Sequence, residues 1–435
     1  MKSEVRALQG ILSVTVVIDA INGLFSNYFP SFFSNIVPMF RACIFAFLLL
    51  LLLQLSRRRF VSALTIILAH FLFTVRTLSA ASSMTASNLL SEASSDVKVY
   101  YFFSLVLVFL SLAERRMIDR EWLLGVMNIN SVLMPLLFIF PTLLGLSRTT
   151  YINSGIGSSG FFIANNSSNV ILILSSIFLF YRWRQSYIFK SRISIWWLFL
   201  SWIALYIQGS KTSLAFLALE IIFGITLFFF ANGLQKWSAR WIVIYVVALA
   251  TVVTSILYAL LNMETIRQQV SDALQGLVLR QQALYAISGN SLVDTLMSGR
   301  VSHLRMIISG LINGGYHYSI LSGYTHVLLP SGYIAEMDLF DIILDGGGLM
   351  TLMTFGVTIY LLLRAARKKW IGQTETHIFV MLSLLFLLTY SFFAGHVFSE
   401  ILASTFVAIL LILNLREVAL PNEDSCNNSA ISAQK

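Results

Sequence analysis

The stretch IFAFLLLLLLQLSRRR, residues 44–59, joins a long apolar run to three consecutive arginines. A helix needs roughly 20 predominantly apolar residues to cross the hydrocarbon core of a bilayer. Arginines directly after such a run are typical of a cytoplasmic helix end, because the cytoplasmic loops of membrane proteins carry an excess of Lys and Arg. The stretch therefore predicts a membrane-spanning helix that ends on the cytoplasmic side.

The composition of the whole chain indicates the same class of protein. Of 435 residues, 57% are hydrophobic and 11% are charged, whereas soluble proteins have about 25% charged residues. The apolar runs lack the strict alternation of lipid-facing barrel strands. The two cysteines lie in an apolar run and in the polar tail, so they predict neither a metal cluster nor a disulfide framework. We therefore predict an all-α, polytopic helix bundle in a membrane.

Twelve apolar segments are candidate transmembrane helices. They are residues 10–28, 37–55, 60–78, 99–113, 122–145, 168–182, 193–208, 212–231, 241–261, 346–363, 376–393 and 398–415. If the N-terminus is cytoplasmic, 20 of the 29 Lys and Arg residues fall in cytoplasmic loops, as the positive-inside rule requires. Both termini are then cytoplasmic. The net charge of +9 reflects this topology, so we expect contact with membrane lipid and none with nucleic acid.

This topology divides the chain into four parts. Residues 1–262 form helices 1–9 with short loops, residues 263–345 form one large periplasmic loop with short helices, and residues 346–415 form helices 10–12. Residues 416–435 are polar and rich in Ser and Asn, which predicts a disordered cytoplasmic tail. The first span contains Asp19 and Asn22, which argues against a cleavable signal peptide.

Charged residues on the outer side are the candidates for chemistry. The large loop holds Arg300, Arg305, His326, Glu336 and Asp338. Arginine binds phosphate oxygens through two parallel hydrogen bonds, and a carboxylate can accept the proton of a reacting hydroxyl. The chain has no Walker loop, no metal-binding triad and no Gly-x-Ser-x-Gly motif, so we expect no cofactor.

Other polar residues near the outer side have simpler interpretations. Asp19 and Asn22 share a helix face, which indicates a packing contact. Lys98 stands at a span end, where its amine can reach the polar interface. His396 and Glu400, four residues apart, can bond to each other or line the rim of an outer cavity.

Three outer segments carry a family resemblance. The first two are GSSGFFIANNSSNVILIL, residues 157–174, and GSKTSLAFLAL, residues 209–219. The third is SGR, residues 298–300, followed by a turn at Gly323. In their order and spacing, from about residue 90 to 400, they resemble the superfamily of O-antigen polymerases (Wzy) and O-antigen ligases (WaaL), which are glycosyltransferases of the bacterial inner membrane.

The resemblance implies a metal-independent glycosyltransferase of the GT-C type with its active site at the periplasmic face. Its substrate is a glycan carried on undecaprenyl diphosphate. A polymerase transfers this glycan to the non-reducing end of a second lipid-linked repeat unit. A chain-length regulator and a flippase in the same membrane are the protein partners that the resemblance suggests.

The resemblance also suggests roles for individual residues. Arg300 and Lys211 would hold the leaving diphosphate. Arg305 ranks lower, because five positions along a helix turn it about 140° away from Arg300. Glu336 or Asp338 would be the base, with His326 as a rival, while Asn165 and Asn166 could bind sugar hydroxyls.

The sequence departs from the family pattern at two places. Lys211 stands where arginine is usual, which keeps the charge but loses the two-pronged fork. Residues 336–348, EMDLFDIILDGGG, lack the histidine of ligases and carry an acidic pair that favours a polymerase. The alternatives are a ligase that transfers the glycan to lipid A–core and, less favoured, a flippase or other transporter. No internal halving or midplane charges support the transporter.

Overall fold

The computed structural model describes residues 2–29, 36–55, 86–151, 156–189, 195–231, 299–313, 336–367 and 375–415, with isolated positions between 60 and 74. The helices are α1 Lys2–Ser13, α2 Thr15–Tyr28, α3 Ile36–Leu55, α4 Ala86–Glu114, α5 Arg120–Leu143, α6 Asn165–Phe189, α7 Ile195–Gln208, α8 Lys211–Ala231, α9 Arg300–Asn313, α10 Asp338–Thr351, α11 Val357–Arg367, α12 Glu375–Ala394 and α13 Ile401–Leu413. Leu352–Gly356, between α10 and α11, is a π-helical segment. The prediction of a helical protein is confirmed.

One short hairpin interrupts the helices. Strands β1 (Thr149–Tyr151) and β2 (Ile156–Ser158) pair antiparallel, with Thr149 opposite Ser158. The sequence predicted no strand here. The strands are three residues each, too short to produce a periodic pattern that separates them from a loop.

Helix α13 forms the centre of the bundle. All thirteen of its residues are buried, and it packs against α4, α6 and α12. A helix that is apolar on every side can be buried completely. The sequence ILASTFVAILLIL allows this, because its few polar residues are Ser and Thr, whose hydroxyls can bond to the preceding turn. Ser404 and Thr405 both donate to the carbonyl of Ile401, at 3.2 and 2.7 Å.

The first predicted span is bent. Helices α1 and α2 meet at an angle of 50°, and buried Asn130 of α5 sits at the break. Its Nδ2 donates to the carbonyl of Leu12 at 2.8 Å, and its Oδ1 accepts from the backbone N–H of Val16 at 3.2 Å. The amide therefore replaces helical hydrogen bonds that the bend removes, which is the usual way a kink is tolerated inside an apolar bundle.

Among the described residues, three helical stretches are long and apolar enough to cross a membrane: Arg120–Leu143, Gly346–Ala365 and Thr376–Ala394. The bent pair α1–α2 makes a fourth if it is one span. These helices fit a membrane protein. The number twelve, the N-terminal orientation and the four-part division stay predictions. The span at 241–261, the tail at 416–435 and most of the loop at 263–345 lie outside the described residues.

Candidate functional site

The centre of the candidate site is an ion pair between two of the predicted residues. Nη2 of Arg300, at the first position of α9, lies 3.0 Å from Oε2 of Glu336, just before α10. The two side chains differ in exposure: 12% for Arg300 and 46% for Glu336. The guanidinium of Arg300 is therefore mostly buried, while the carboxylate of Glu336 is accessible to solvent.

Asn166 joins this pair from a third segment. Its Nδ2 lies 3.5 Å from both Oε2 of Glu336 and the carbonyl oxygen of Ala394. The hydroxyl of Tyr390 donates to the backbone carbonyl of Asn166 at 3.3 Å. The structure therefore brings together the start of α6, the start of α9, the start of α10 and the end of α12.

Asp338 lies in a different environment from Glu336, although only one residue separates them. Its side chain is fully buried and accepts five hydrogen bonds. The donors are the hydroxyls of Ser391 and Ser399, at 2.9 and 2.8 Å, and the backbone N–H groups of His396, Val397 and Phe398, at 2.8, 2.7 and 3.1 Å. This set of donors uses both oxygens of the carboxylate, so Asp338 fixes the α12–α13 connection.

The chain is tightly packed where this connection meets Glu336. Glu336 and His396 both have positive φ, at 57° and 61°, a conformation that is uncommon for residues other than glycine. A Cβ on Gly395 would come within 2.6 Å of the carbonyl of Glu336. The backbone of Glu336 is therefore held by its neighbours in an unfavourable conformation, as is frequent at functional sites.

Two of the motif segments meet through their glycines. Gly157, with φ of 72°, and Gly209, with φ of 66°, pack backbone to backbone, and a Cβ on Gly157 would come within 2.3 Å of the carbonyl oxygen of Gln208. Lys211 follows directly as the first residue of α8 and is partly buried. Glycine is therefore required at positions 157 and 209, because the two chain segments approach too closely there for a side chain.

Thr150 of the hairpin ties these segments to Asn165. Its hydroxyl donates to the carbonyl of Gln208 at 2.7 Å, and its own carbonyl accepts from Nδ2 of Asn165 at 3.0 Å. Asn165 therefore supports the backbone beside Asn166. Lys211, the hairpin and the Arg300–Glu336 pair consequently lie at the same end of the bundle.

The remaining predicted residues are placed as follows. Arg305 lies in α9 with an exposed side chain, and His326 lies outside the described residues. Sequence reasoning missed Tyr390, Ser391 and Ser399. Their only sequence signal is a set of polar residues around Gly395 between two apolar runs.

Comparison with protein-family models gives no match, and no curated protein is significantly similar to the chain in sequence. The chemical argument therefore rests on the site itself. Within the described residues, no group of three or more His, Cys, Asp or Glu side chains could hold a metal ion. What the site does offer is a guanidinium next to an accessible carboxylate, with an amide beside both.

Proposed function

We propose that the chain is an O-antigen polymerase, a metal-independent glycosyltransferase of the inner membrane. It would transfer a glycan from undecaprenyl diphosphate to the non-reducing end of another lipid-linked repeat unit at the periplasmic face. The observation that carries the proposal is the 3.0 Å pair between Arg300 and Glu336. It unites a phosphate-binding group and a proton acceptor at the end of the bundle where the motif segments meet.

The pair suggests how the reaction begins. A diphosphate that binds Arg300 competes for the guanidinium with the carboxylate of Glu336, because both are oxyanions that fit the same fork. Once displaced, Glu336 is free to accept a proton. Substrate binding would therefore activate the base by releasing it from its partner.

The bonds that change are few. The bond between the anomeric carbon of the donor sugar and the diphosphate oxygen breaks, and its electron pair leaves with the diphosphate, which Arg300 stabilises. The acceptor hydroxyl forms a new bond to the same anomeric carbon, and Glu336 takes its proton. No oxidant, nucleotide or metal is needed, since the lipid diphosphate is the leaving group.

The roles of the other residues follow from their contacts. Asn166 would orient Glu336 or a sugar hydroxyl through its amide. Asp338, with five donors around it, would position the α12–α13 connection rather than take a proton. Lys211 would add positive charge for the diphosphate from the start of α8.

Lipopolysaccharide from a deletion strain tests the proposal against the ligase alternative. Loss of a polymerase leaves lipid A–core carrying a single repeat unit, whereas loss of a ligase leaves the core without glycan. A banding pattern of core plus one unit, restored to a ladder by the gene on a plasmid, supports the polymerase. Bare core would favour the ligase, and an unchanged ladder would exclude both.

A further inference from the structure

A second polar site lies at the same end of the bundle, behind the segment that contains Asn166. It is a cavity of about 120 Å³. The polar side chains that line it are Asp19, Asn22, Arg41, Lys98, Ser167 and Glu400. The sequence interpretations above gave none of them a role in binding substrate.

Four of these residues form two ion pairs. Nη2 of Arg41 contacts Oδ1 of Asp19, and Nζ of Lys98 lies 2.6 Å from Oε1 of Glu400. All four side chains are at most 26% exposed. Lys98, which the sequence placed at a span end, is therefore part of an ion pair, and so is Asp19.

Ion pairs of this kind are a weak source of stability. Buried ion pairs often contribute no more than apolar residues of the same size, because desolvation offsets their attraction. Here the four charges come from α2, α3, α4 and the residue before α13, all within an otherwise apolar bundle. Ionisable groups inside membrane proteins usually mark a pathway or a binding site.

The charge balance of the cavity indicates the kind of ligand. Two cations and two carboxylates give a formal charge of zero, so the cavity lacks the excess positive charge that a diphosphate requires. Sugar hydroxyls both donate and accept hydrogen bonds. They can donate to Asp19 and Glu400 and accept from Arg41 and Lys98, while Phe162 and Ile163 supply apolar wall.

The volume limits how much of a glycan can enter. Sites that enclose drug-sized ligands measure about 300–1,000 Å³, well above this cavity. An entire oligosaccharide cannot fit, whereas a single terminal sugar is of suitable size. The site therefore suits the end of a chain.

Two short connections join this cavity to the candidate catalytic pair. Asn166 bonds to Glu336, while its neighbours Ala164 and Ser167 line the cavity. Asp338 bonds to residues 396–399, and the next residue is Glu400. A sugar held in the cavity would thus lie on the far side of one chain segment from the proton acceptor.

We infer that this cavity binds a neutral sugar at the non-reducing end of a glycan. If the proposed function holds, this glycan is the acceptor, and the cavity positions it for the reaction. The ion pairs Asp19–Arg41 and Lys98–Glu400 both line it. The cavity is a binding subsite, separate from the Arg300–Glu336 pair that would hold the diphosphate. It selects for uncharged, hydroxyl-rich ligands.

Binding measurements on full-length protein in lipid nanodiscs test the inference. The probes are the oligosaccharide released by mild acid from the lipid-linked repeat unit of the same cells, and inorganic diphosphate. The double variant Lys98→Gln/Glu400→Gln removes one ion pair without changing the net charge. Asn22→Leu leaves both pairs in place and replaces an amide that lines the cavity by an apolar side chain of nearly the same shape. The matched control Lys2→Gln/Glu121→Gln alters exposed residues at the opposite end of the bundle.

The double variant should weaken oligosaccharide binding at least about tenfold, which is the effect of losing a hydrogen bond to a charged group. Asn22→Leu should weaken it about two- to tenfold, which is the effect of losing a neutral hydrogen bond. The matched control should bind the oligosaccharide as the wild type does. Thermal unfolding shows which variants are folded. If the double variant is not folded, oligosaccharide binding by Asn22→Leu tests the inference. Wild-type protein that fails to bind the oligosaccharide, or folded cavity variants that bind it normally, would overturn the inference. So would loss of diphosphate binding in the double variant.

The same variants separate this inference from the proposed function. If polymer forms and depends on Arg300, while the cavity variants keep the wild-type KM for acceptor, the cavity inference fails and the proposed function stands. If the cavity variants lose oligosaccharide binding but wild-type protein makes no polymer, the glycan site stands and the proposed function fails.

Discussion

The guanidinium of Arg300 lies 3.0 Å from the carboxylate of Glu336, although 36 residues separate them in the chain. Arg300 begins one helix and Glu336 lies two residues before another, so the pair joins the described segments 299–313 and 336–367. The arginine is mostly buried and the glutamate is about half exposed. A ligand from outside would therefore meet the carboxylate first and could take its place on the guanidinium.

The first prediction concerns Arg300. Arg300→Ala should lower polymer formation by about 10²–10³-fold, the usual effect of removing a group that stabilises charge in the transition state. Arg300→Lys should restore little, because an ammonium group cannot form the two-pronged contact. The measurement is polymer length on gels, with membrane protein quantified in parallel. Arg115→Ala, an exposed arginine at the opposite end of the bundle, is the control, and normal polymer from Arg300→Ala would remove this residue from the site.

The second prediction separates the two neighbouring acids. Asp338→Asn replaces one acceptor oxygen by an NH₂ group that faces hydrogen-bond donors, so several buried hydrogen bonds are lost. Each donor left without a partner should lower the free energy of unfolding by about 1–3 kcal/mol. Thermal unfolding of the purified variant should shift downward, and polymer should decline in parallel. Glu336→Gln, by contrast, should leave the unfolding temperature near that of the wild type. An Asp338→Asn protein with normal stability would contradict the structural role.

The third prediction concerns the contact between the motif glycines. Gly157→Ala places a methyl group 2.3 Å from the carbonyl oxygen of Gln208 at a positive φ, which should cost about 1–3 kcal/mol of stability. Gly10→Ala is the matched control, because it lies inside a helix with open space around it. That change should stabilise the protein slightly. Equal unfolding temperatures for the two variants would rule out the close approach.

The fourth prediction concerns orientation in the membrane. Reporter fusions after Ser158 and Asn290 should be active on the periplasmic side, and fusions after Arg116 and Lys368 on the cytoplasmic side. The reason is the distribution of Lys and Arg between loops. A cytoplasmic signal at Asn290 would reverse the topology and place the candidate site on the wrong face for a periplasmic enzyme.

The helical character of the described fold was predictable, because the chain consists largely of apolar runs without the alternation of strands. The two residues of the candidate pair could also be predicted, because Arg300 and Glu336 are polar residues on the predicted outer side of an apolar chain. The environment of Asp338 could not. Nothing in the sequence around it indicates that the backbone of residues 396–398 would fold over its carboxylate.

The ion pairs of the second cavity were missed for a related reason. Asp19, Arg41, Lys98 and Glu400 stand in four separate segments, and the paired residues Lys98 and Glu400 are 302 positions apart. Considered singly, each residue is compatible with an ordinary structural role. Only packing of the helices shows that they face one another, and a single sequence carries no signal of that packing.

The most direct measurement of the central claim is turnover of purified protein in lipid nanodiscs with a lipid-linked repeat unit as the sole substrate. Wild-type protein should make polymer without added metal or nucleotide. Glu336→Gln should lower the rate by about 10²–10⁴-fold, the usual contribution of a general base, while Glu121→Gln, an exposed glutamate at the opposite end of the bundle, retains the wild-type rate. Polymer made by Glu336→Gln at the wild-type rate would contradict the account.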